Sequence, residues 1–384
     1  MVSKLLLFPY WLVLKIRNRR YDSGAAKSTF FEDIPVISIG NVTVGGTGKT
    51  PMTEYIIRRL IGDYKVAVLS RGYKRKSDEF HIVSETDTVD MSGDEPLQIK
   101  RKFPSVTVAV CKDRVTAVQI LKDQTRELRP DVIILDDGFQ YRRLKPMLSI
   151  VLQDYNRPIF KDELLPLGRL RDLPEQIRRA DVMVCTKCPE ALNDWERSEV
   201  KRGAHLGEDR TMLFAKSFYG EPMAVFPELG NKRYIYSKDV FVFTGIASDN
   251  PILLYLSDKY DWIAHEKYPD HHKFTDKDAL HLNSYAKAHP RALLLTTEKD
   301  AQRLRECSLL SEEFKSRLFY LPVMTQFLSE GDAESFDELL RSVLPRKASA
   351  PLTAEPDTQE SEHKGVRQEH KQKAQSENTD WTLF

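Results

Sequence analysis

The sequence predicts an α/β protein: a mostly parallel sheet with helices on both faces, followed by a second, smaller α/β unit. Three observations carry this. Short apolar runs rich in β-branched residues recur through the first 220 positions, and helical patterns fill several of the gaps between them. Continuous apolar strands of this kind are those of sheets covered on both sides. A similar alternation begins after a composition shift at Tyr219-Gly220-Glu221-Pro222, which reads as a hinge.

Taken in order, residues 1–22 form the first helix. Its run Leu5-Leu6-Leu7-Phe8-Pro9-Tyr10-Trp11-Leu12-Val13-Leu14 is followed by Lys15, Arg17, Arg19 and Arg20. The run is shorter than the roughly 20 residues a bilayer span needs. No small-residue cleavage site follows, and the cationic end comes after the apolar stretch, which argues against a secretory signal. The pattern fits an amphipathic anchor, with Tyr10 and Trp11 at headgroup level and the arginines on anionic lipid. A helix packed on the protein itself is the rival reading. Residues 35–39 then read as a buried strand, a glycine-rich turn follows, and 51–60 is a helix with Pro51 in its first turn. Further strands are expected at 66–69, 106–110, 132–135, 148–152 and 182–184, with a helix over 114–128. In the second unit strands fall at 240–243 and 293–296, and the last helix at 334–344. This divides the chain into 1–22, 23–220, 221–345 (its last helix free to pack back on the first unit) and a polar tail over 346–384, expected to be disordered.

Composition is that of a globular chain of 384 residues, 41% hydrophobic and 30% charged. A net charge of +1 gives no general pull toward nucleic acid, and no obligate protein partner is indicated. The four cysteines show no disulfide-like spacing, which places the chain in a reducing compartment. Cys185-Thr186-Lys187-Cys188 is a lone CxxC pair with no second pair or histidines at ligand spacing, and reads as two partly buried thiols rather than a zinc site.

Chemistry concentrates between the strand at 35–39 and the helix at 51–60. Thr43, Val44, Gly45, Gly46, Thr47, Gly48, Lys49 and Thr50 form a P-loop in which backbone amides approach phosphates, Lys49 meets the β/γ oxygens and Thr50 offers a hydroxyl to Mg²⁺. Thr43 stands where the usual pattern has its first glycine. The strand 132–135 delivers Asp136 and Asp137 to its C-terminal edge as candidate metal carboxylates. GTPases carry a guanine-reading Asn-Lys-x-Asp segment, and none is found. Partitioning ATPases carry a lysine just before the glycine pair, where this chain has Val44. The residues thus point to ATP-dependent phosphorylation.

The motifs add up to something more specific. The stretch from Gly40 to Pro51, Ser70-Arg71-Gly72-Tyr73, Gly93-Asp94-Glu95-Pro96, Asp136-Asp137-Gly138-Phe139-Gln140, the stretch from Leu165 to Arg171, and Asp270-His271-His272 occur in this order. With them the chain resembles the tetraacyldisaccharide 4′-kinase family, the lipid A kinases of Gram-negative bacteria, from the first helix to about residue 345. Thr43 belongs to that family's pattern. The resemblance implies a P-loop NTPase-like fold and transfer of phosphate from ATP, with Mg²⁺, to the 4′-hydroxyl of a membrane-embedded lipid A precursor. That places the protein peripherally at the cytoplasmic face of the inner membrane, on its anionic surface. It implies Asp94 as the catalytic aspartate, supported by His271, with Lys49 at the phosphates and Glu95 a further metal candidate beside Thr50, Asp136 and Asp137. Asn41, Ser70, Arg71, Tyr73, Arg114, Gln140 and Arg171 match positions placed near the disaccharide and its 1-phosphate. Asp172 stands where relatives are expected to carry Glu. A P-loop switch ATPase, or a small-molecule kinase whose first helix only packs, remains the alternative.

Overall fold

The computed structural model describes residues 2–73, 75–206 and 210–345; the expected polar tail lies outside them. The first helix, α1 (Val2–Asp22), contains Pro9. The first half then runs β1 (Val36–Gly40), α2 (Lys49–Leu60), β2 (Val66–Ser70), β3 (His81–Ile82), α3 (Val89–Ser92), α4 (Asp94–Lys102), β4 (Thr107–Val110), α5 (Arg114–Lys122), β5 (Val132–Asp136), β6 (Leu148–Asp154), β7 (Val182–Thr186), α6 (Asp194–Gly203) and β8 (Thr211–Tyr219). The second half runs β9 (Met223–Ala224), β10 (Asp239–Thr244), α7 (Asn250–Ser257), β11 (Asp261–Lys267), α8 (Asp276–Ala288), β12 (Leu293–Thr297), α9 (Glu298–Leu304), α10 (Glu312–Arg317), β13 (Leu318–Leu321), β14 (Val323–Phe327) and α11 (Glu330–Val343).

Two sheets result. The larger has nine strands in the order β14-β8-β7-β6-β1-β5-β2-β4-β3, parallel from β8 through β4 and antiparallel at both edges. Its central strands β1, β2, β5, β6 and β7 are buried along their whole length, as their β-branched runs require. One face packs on α2 and α11 through Ile56, Leu60, Phe336 and Leu340; another core gathers Leu14 of α1 with Val151, Met183 and Phe214. The smaller sheet has the order β11-β10-β12-β13-β9, with β9 antiparallel to β13. Its core centres on Phe241, Phe243, Phe314 and Leu294.

The return to the larger sheet begins before the last helix. β14 pairs antiparallel with β8, so residues 323–345 belong with the first unit rather than the second. The two crossings between sheets run side by side: Gly220 N–H donates to the Pro322 carbonyl at 3.0 Å, and a side chain at Gly220 would meet Met324 and Pro322. The helix expected over 114–128 is shorter, ending at Lys122.

Candidate active site

β1 ends at Gly40, and its neighbour β5 pairs Ile39 with Asp136, so the loop leaving β1 and the two aspartates leaving β5 emerge together at the C-terminal edge of the sheet. Gly45 and Gly48 take φ of 98° and 84°, the left-handed region open to glycine. Gly48 caps α2 without a side-chain hydrogen bond, leaving the first amides of that helix for an anion. The loop is held from outside. Val44 N–H donates to the Arg169 carbonyl (2.8 Å), Asn41 Nδ2 to Thr47 Oγ1 (2.6 Å), and Thr186 Oγ1 to the Thr47 carbonyl (2.9 Å).

Lys49 Nζ lies 3.8 Å from Asp137 Oδ1, and Arg171 grips the same carboxylate with both Nη atoms, Nη1 at 2.9 Å from Oδ2. Burial works against the Asp137 charge, but Lys49 and Arg171 win and hold its carboxyl down at about 2. Its backbone takes φ 53°, uncommon for a residue with a side chain. Asp136 is the opposite case. It is buried, Thr53 Oγ1 reaches its Oδ1 at 3.3 Å, and its Oδ2 has no hydrogen-bond partner among the described residues. Burial, with the Glu95 and Asp137 charges nearby, raises its affinity for a proton, and a cation would relieve the same strain. Among the described residues no cluster of three or more His, Cys, Asp or Glu is arranged to hold a metal. Mg²⁺ needs none, since it takes one or two carboxylates, waters and phosphate oxygens. The buried orphan oxygen of Asp136, with Thr50 on the facing turn of α2, fits that ion. Glu95, the further metal candidate, is in this arrangement paired with Lys299 of α9.

Asp94 opens α4 directly after Gly93, whose φ of 87° turns the chain into the helix. His271 comes from the loop between β11 and α8, and its Nδ1 lies 3.1 Å from Asp94 Oδ2 although 177 positions separate them. His271 also sits in the left-handed region at φ 60°, its N–H bonded to the Gly245 carbonyl at 3.0 Å. A third group, absent from the expectations, completes the pair. Arg303 of α9 binds the Asp94 carboxylate, stands 3.2 Å from His271 Nδ1, and anchors itself on Asp300 (2.8 Å) and the Gly245 carbonyl (3.2 Å). Burial pushes Asp94 up, but His271, Lys299 and Arg303 outweigh it and hold the carboxyl well below the usual range. No spacing signal marks Arg303 or Lys299 in sequence; only the packing of α9 on α4 reveals them.

The expected substrate residues separate into three groups. Arg71 and Arg114 line a cavity of about 730 Å³ together with Lys112, Tyr141 and Arg143. Arg114 lies over the Tyr141 ring at 4.7 Å. Ser70 is buried at the end of β2 and Tyr73 is exposed, its ring 5.9 Å from that of His271. Asn41 departs from expectation. It is wholly buried, its amide nitrogen is spent on Thr47, and its oxygens accept from Arg171 and Gln140, so it braces the P-loop instead of facing a ligand. Gln140 donates to the Asn41 carbonyl at 2.5 Å, and Arg171 is committed to Asp137. Asp172 is fully buried and accepts from Arg17 (2.7 Å), Asn18 (2.8 Å) and its neighbour Leu173 N–H (2.9 Å), which bolts α1 to the site.

The sequence matches the tetraacyldisaccharide-1-P 4′-kinase family over residues 3–345. The chain belongs to this family. It is 39% identical over 344 residues to the tetraacyldisaccharide 4′-kinase of Porphyromonas gingivalis strain W83, covering 88% of this chain and 96% of the relative. The enzyme of that name from Flavobacterium johnsoniae is 38% identical over 336 residues, 86% of this chain and 94% of the relative. Among solved structures, the "apo" form of LpxK from Aquifex aeolicus in complex with ATP superposes with a TM-score of 0.70 at 28% identity, over 90% of this chain and all of that one. The P-loop NTPase-like fold read from the sequence is the fold of this family.

Proposed function

We propose that this chain performs the family's reaction at the constellation just described: ATP phosphorylates the 4′-hydroxyl of tetraacyldisaccharide 1-phosphate, giving lipid IVA. The observation that supports the site assignment is the Asp94–His271 pair, one partner from α4 and the other from the loop between β11 and α8, with the neighbouring Glu95 charge felt by Asp136. In this reading the P-loop amides and Lys49 hold the β- and γ-phosphates. Asp136 and Thr50, with Glu95 once it leaves Lys299, hold Mg²⁺, which when bound neutralises charge on the transferred group. Asp94 orients the 4′-hydroxyl and accepts its proton, a modest demand in a loose phosphoryl-transfer transition state. His271 and Arg303 aim that carboxylate. Arg71, Arg114 and the cavity they line take the disaccharide 1-phosphate, for which arginine's planar fork is suited.

The two sheets act as two domains in this proposal, moving about the paired crossings near 220 and 322. Closure then brings α9 and His271 onto α4 and excludes water. No helix among the described residues is long and apolar enough to cross a membrane. α1 buries Leu14 and Asn18 against the protein and leaves Phe8, Leu12, Val13 and Ile16 exposed, with Lys15, Arg19 and Arg20 alongside. That second face suits peripheral binding to the anionic inner-membrane surface where the substrate resides.

The test is transfer of labelled γ-phosphate from ATP to tetraacyldisaccharide 1-phosphate in mixed micelles. Wild type labels the lipid, whereas Lys49→Ala and Asp94→Ala fall by at least about a hundredfold. Near-normal transfer by Asp94→Ala removes the assigned acceptor, and an ATP-binding wild type that leaves the lipid unlabelled removes the substrate.

A further inference from the structure

α9 carries a cation that the site as described does not use. We propose that Lys299 is a further catalytic residue: when the two sheets close on bound ATP and lipid, its ammonium leaves Glu95 and meets the γ-phosphate oxygens. The inference rests on the phosphoryl transfer proposed above.

Its place is set by a short chain of constraints. β12 ends at Thr297, whose hydroxyl accepts from the Asp300 N–H at 3.2 Å and so caps α9. Lys299 therefore lies in the first turn of α9, one turn before Arg303, on the side where α9 packs on α4. Arg303 takes Asp94 there, and Lys299 takes the next residue along, Glu95.

The cations around the reacting groups differ in what holds them. Arg171 has both Nη atoms on Asp137, and Arg303 is committed to Asp94, Asp300 and the Gly245 carbonyl. Among the described residues Lys299 pairs with Glu95 alone, and its side chain is 34% exposed, so nothing else fixes its ammonium. That one partner is also the carboxylate assigned to Mg²⁺, near enough to Asp136 for its charge to be felt there. When Glu95 turns to the metal, a cation is left without its anion in a site that closure empties of water, and it needs another. The flexible four-carbon stem lets the ammonium swing while the helix stays in place, and a compact point charge suits a phosphate oxygen.

The anion within reach is the group being transferred. A 4′-hydroxyl donating to Asp94 lies ~3 Å from that carboxylate, and its oxygen must come within ~3.5 Å of phosphorus before attack. The γ-phosphate oxygens then lie beside the Asp94-Glu95 corner on which Lys299 rests. In the transfer, the bond from the 4′-oxygen to phosphorus forms while the bond from phosphorus to the β,γ-bridging oxygen breaks. The electron pair leaves with ADP, and the hydroxyl proton passes to Asp94. Charge spreads over the three equatorial oxygens meanwhile, and Lys299, keeping its own proton, neutralises part of it. Lys299 belongs to the same unit as His271 and Arg303, so it arrives with closure and ties the full rate to a filled site.

The experiment compares binding of two nucleotides, with Mg²⁺, to the full chain holding tetraacyldisaccharide 1-phosphate in mixed micelles. One is the β,γ-imido analogue of ATP, which imitates the ground state; the other is ADP with aluminium fluoride, which imitates the planar group in transfer. Lys299→Met is expected to bind the first within about threefold of wild type, which also shows that it folds, and the second at least about thirtyfold more weakly. In the labelled-phosphate assay its kcat is expected to fall at least about a hundredfold, with KM for both substrates within about threefold of wild type. Equal losses for the two complexes make Lys299 a clamp between α9 and α4, and no loss makes it a bystander; either result overturns this inference alone. A wild type that binds aluminium fluoride with ADP no more tightly than the imido analogue overturns the site proposed above along with it.

Discussion

Arg303 shows how much of this site depends on a residue with no signature of its own. Its guanidinium is buried between two carboxylates, Asp94 and Asp300, and beside His271. A fixed cation there favours the ionised form of Asp94, so protonation is deferred to low pH. In Arg303→Met the proton binds more readily, and the acid limb of kcat/KM is expected to move to higher pH, while Arg303→Lys, which keeps the charge and loses the fork, restores it in part. A pH–rate profile reads this, and an acid limb that stays put in Arg303→Met means Arg303 only packs. The contrast with Lys49, Asp136 and Asp94 is instructive. Lys49 and Asp136 stand in short motifs that a sequence displays, whereas Asp94 stood out only through the family resemblance, since Gly93-Asp94-Glu95-Pro96 by itself reads as a helix N-terminus. Asn41, which the resemblance put near the disaccharide, is buried in the structure and bonded to Thr47, Arg171 and Gln140, the surroundings of a brace.

α1 is the element on which sequence left two readings, and its two faces carry one each. The inner face is fixed by Leu14, by Tyr10 Oη donating to the Arg171 carbonyl at 3.0 Å, and above all by Asp172. Asp172→Ala leaves Arg17 and Asn18 without their acceptor, and about 2 kcal/mol of stability is expected to be lost, seen as a lower denaturant midpoint at unchanged slope. The outer face is free of that duty. Replacing Phe8, Val13 and Ile16 by serine removes three apolar side chains from any bilayer contact, at ~1.5 kcal/mol or more each. Binding to anionic vesicles is therefore expected to weaken by more than about a hundredfold with little change in melting temperature. Vesicle binding that survives the triple change sinks the anchor. Among strands, those with continuous β-branched runs were legible, β1, β5 and β6 being examples. β14 was not: Val323-Met324-Thr325-Gln326-Phe327 carries a mixed pattern, and it pairs with β8 across about a hundred residues, a partnership that no local window records. β11, a half-polar edge strand, was missed for the first of these reasons.

At the scale of the whole molecule, α9 packs onto α4, and two adjacent pairs of α9 residues one turn apart meet charged partners there. Glu298 faces Lys102, Lys299 faces Glu95, Gln302 takes Arg101 at 2.9 Å, and Arg303 takes Asp94. Sequence placed Asp94 and His271 in separate units and left their meeting to an assumed closure; the α4–α9 contact is what makes that meeting physical. It also carries a titration. Lys102 Nζ sits between two buried carboxylates, 2.6 Å from Glu54 and 2.8 Å from Glu298, with Arg58 3.1 Å from the same Glu54 oxygen. One lysine serves two acids, and burial together with the Glu54 charge raises the Glu298 carboxyl above its ordinary 4.5. A carboxyl raised in the folded state holds a proton there that the unfolded chain has already released. The folded form then binds more protons than the unfolded one as pH climbs from about 4.5 through the raised value, and stability falls over that interval. Glu298→Gln accepts from Lys102 as before and donates to Glu54, but has no proton to lose. Thermal unfolding of the full chain between pH 5 and 8 is expected to show a decline in wild type that is shallower in Glu298→Gln, the variant being the more stable of the two at the alkaline end. Parallel curves would locate the pH dependence elsewhere, and the contact between the sheets would then be held by packing and the Asp94–Arg303 pair without a shared proton.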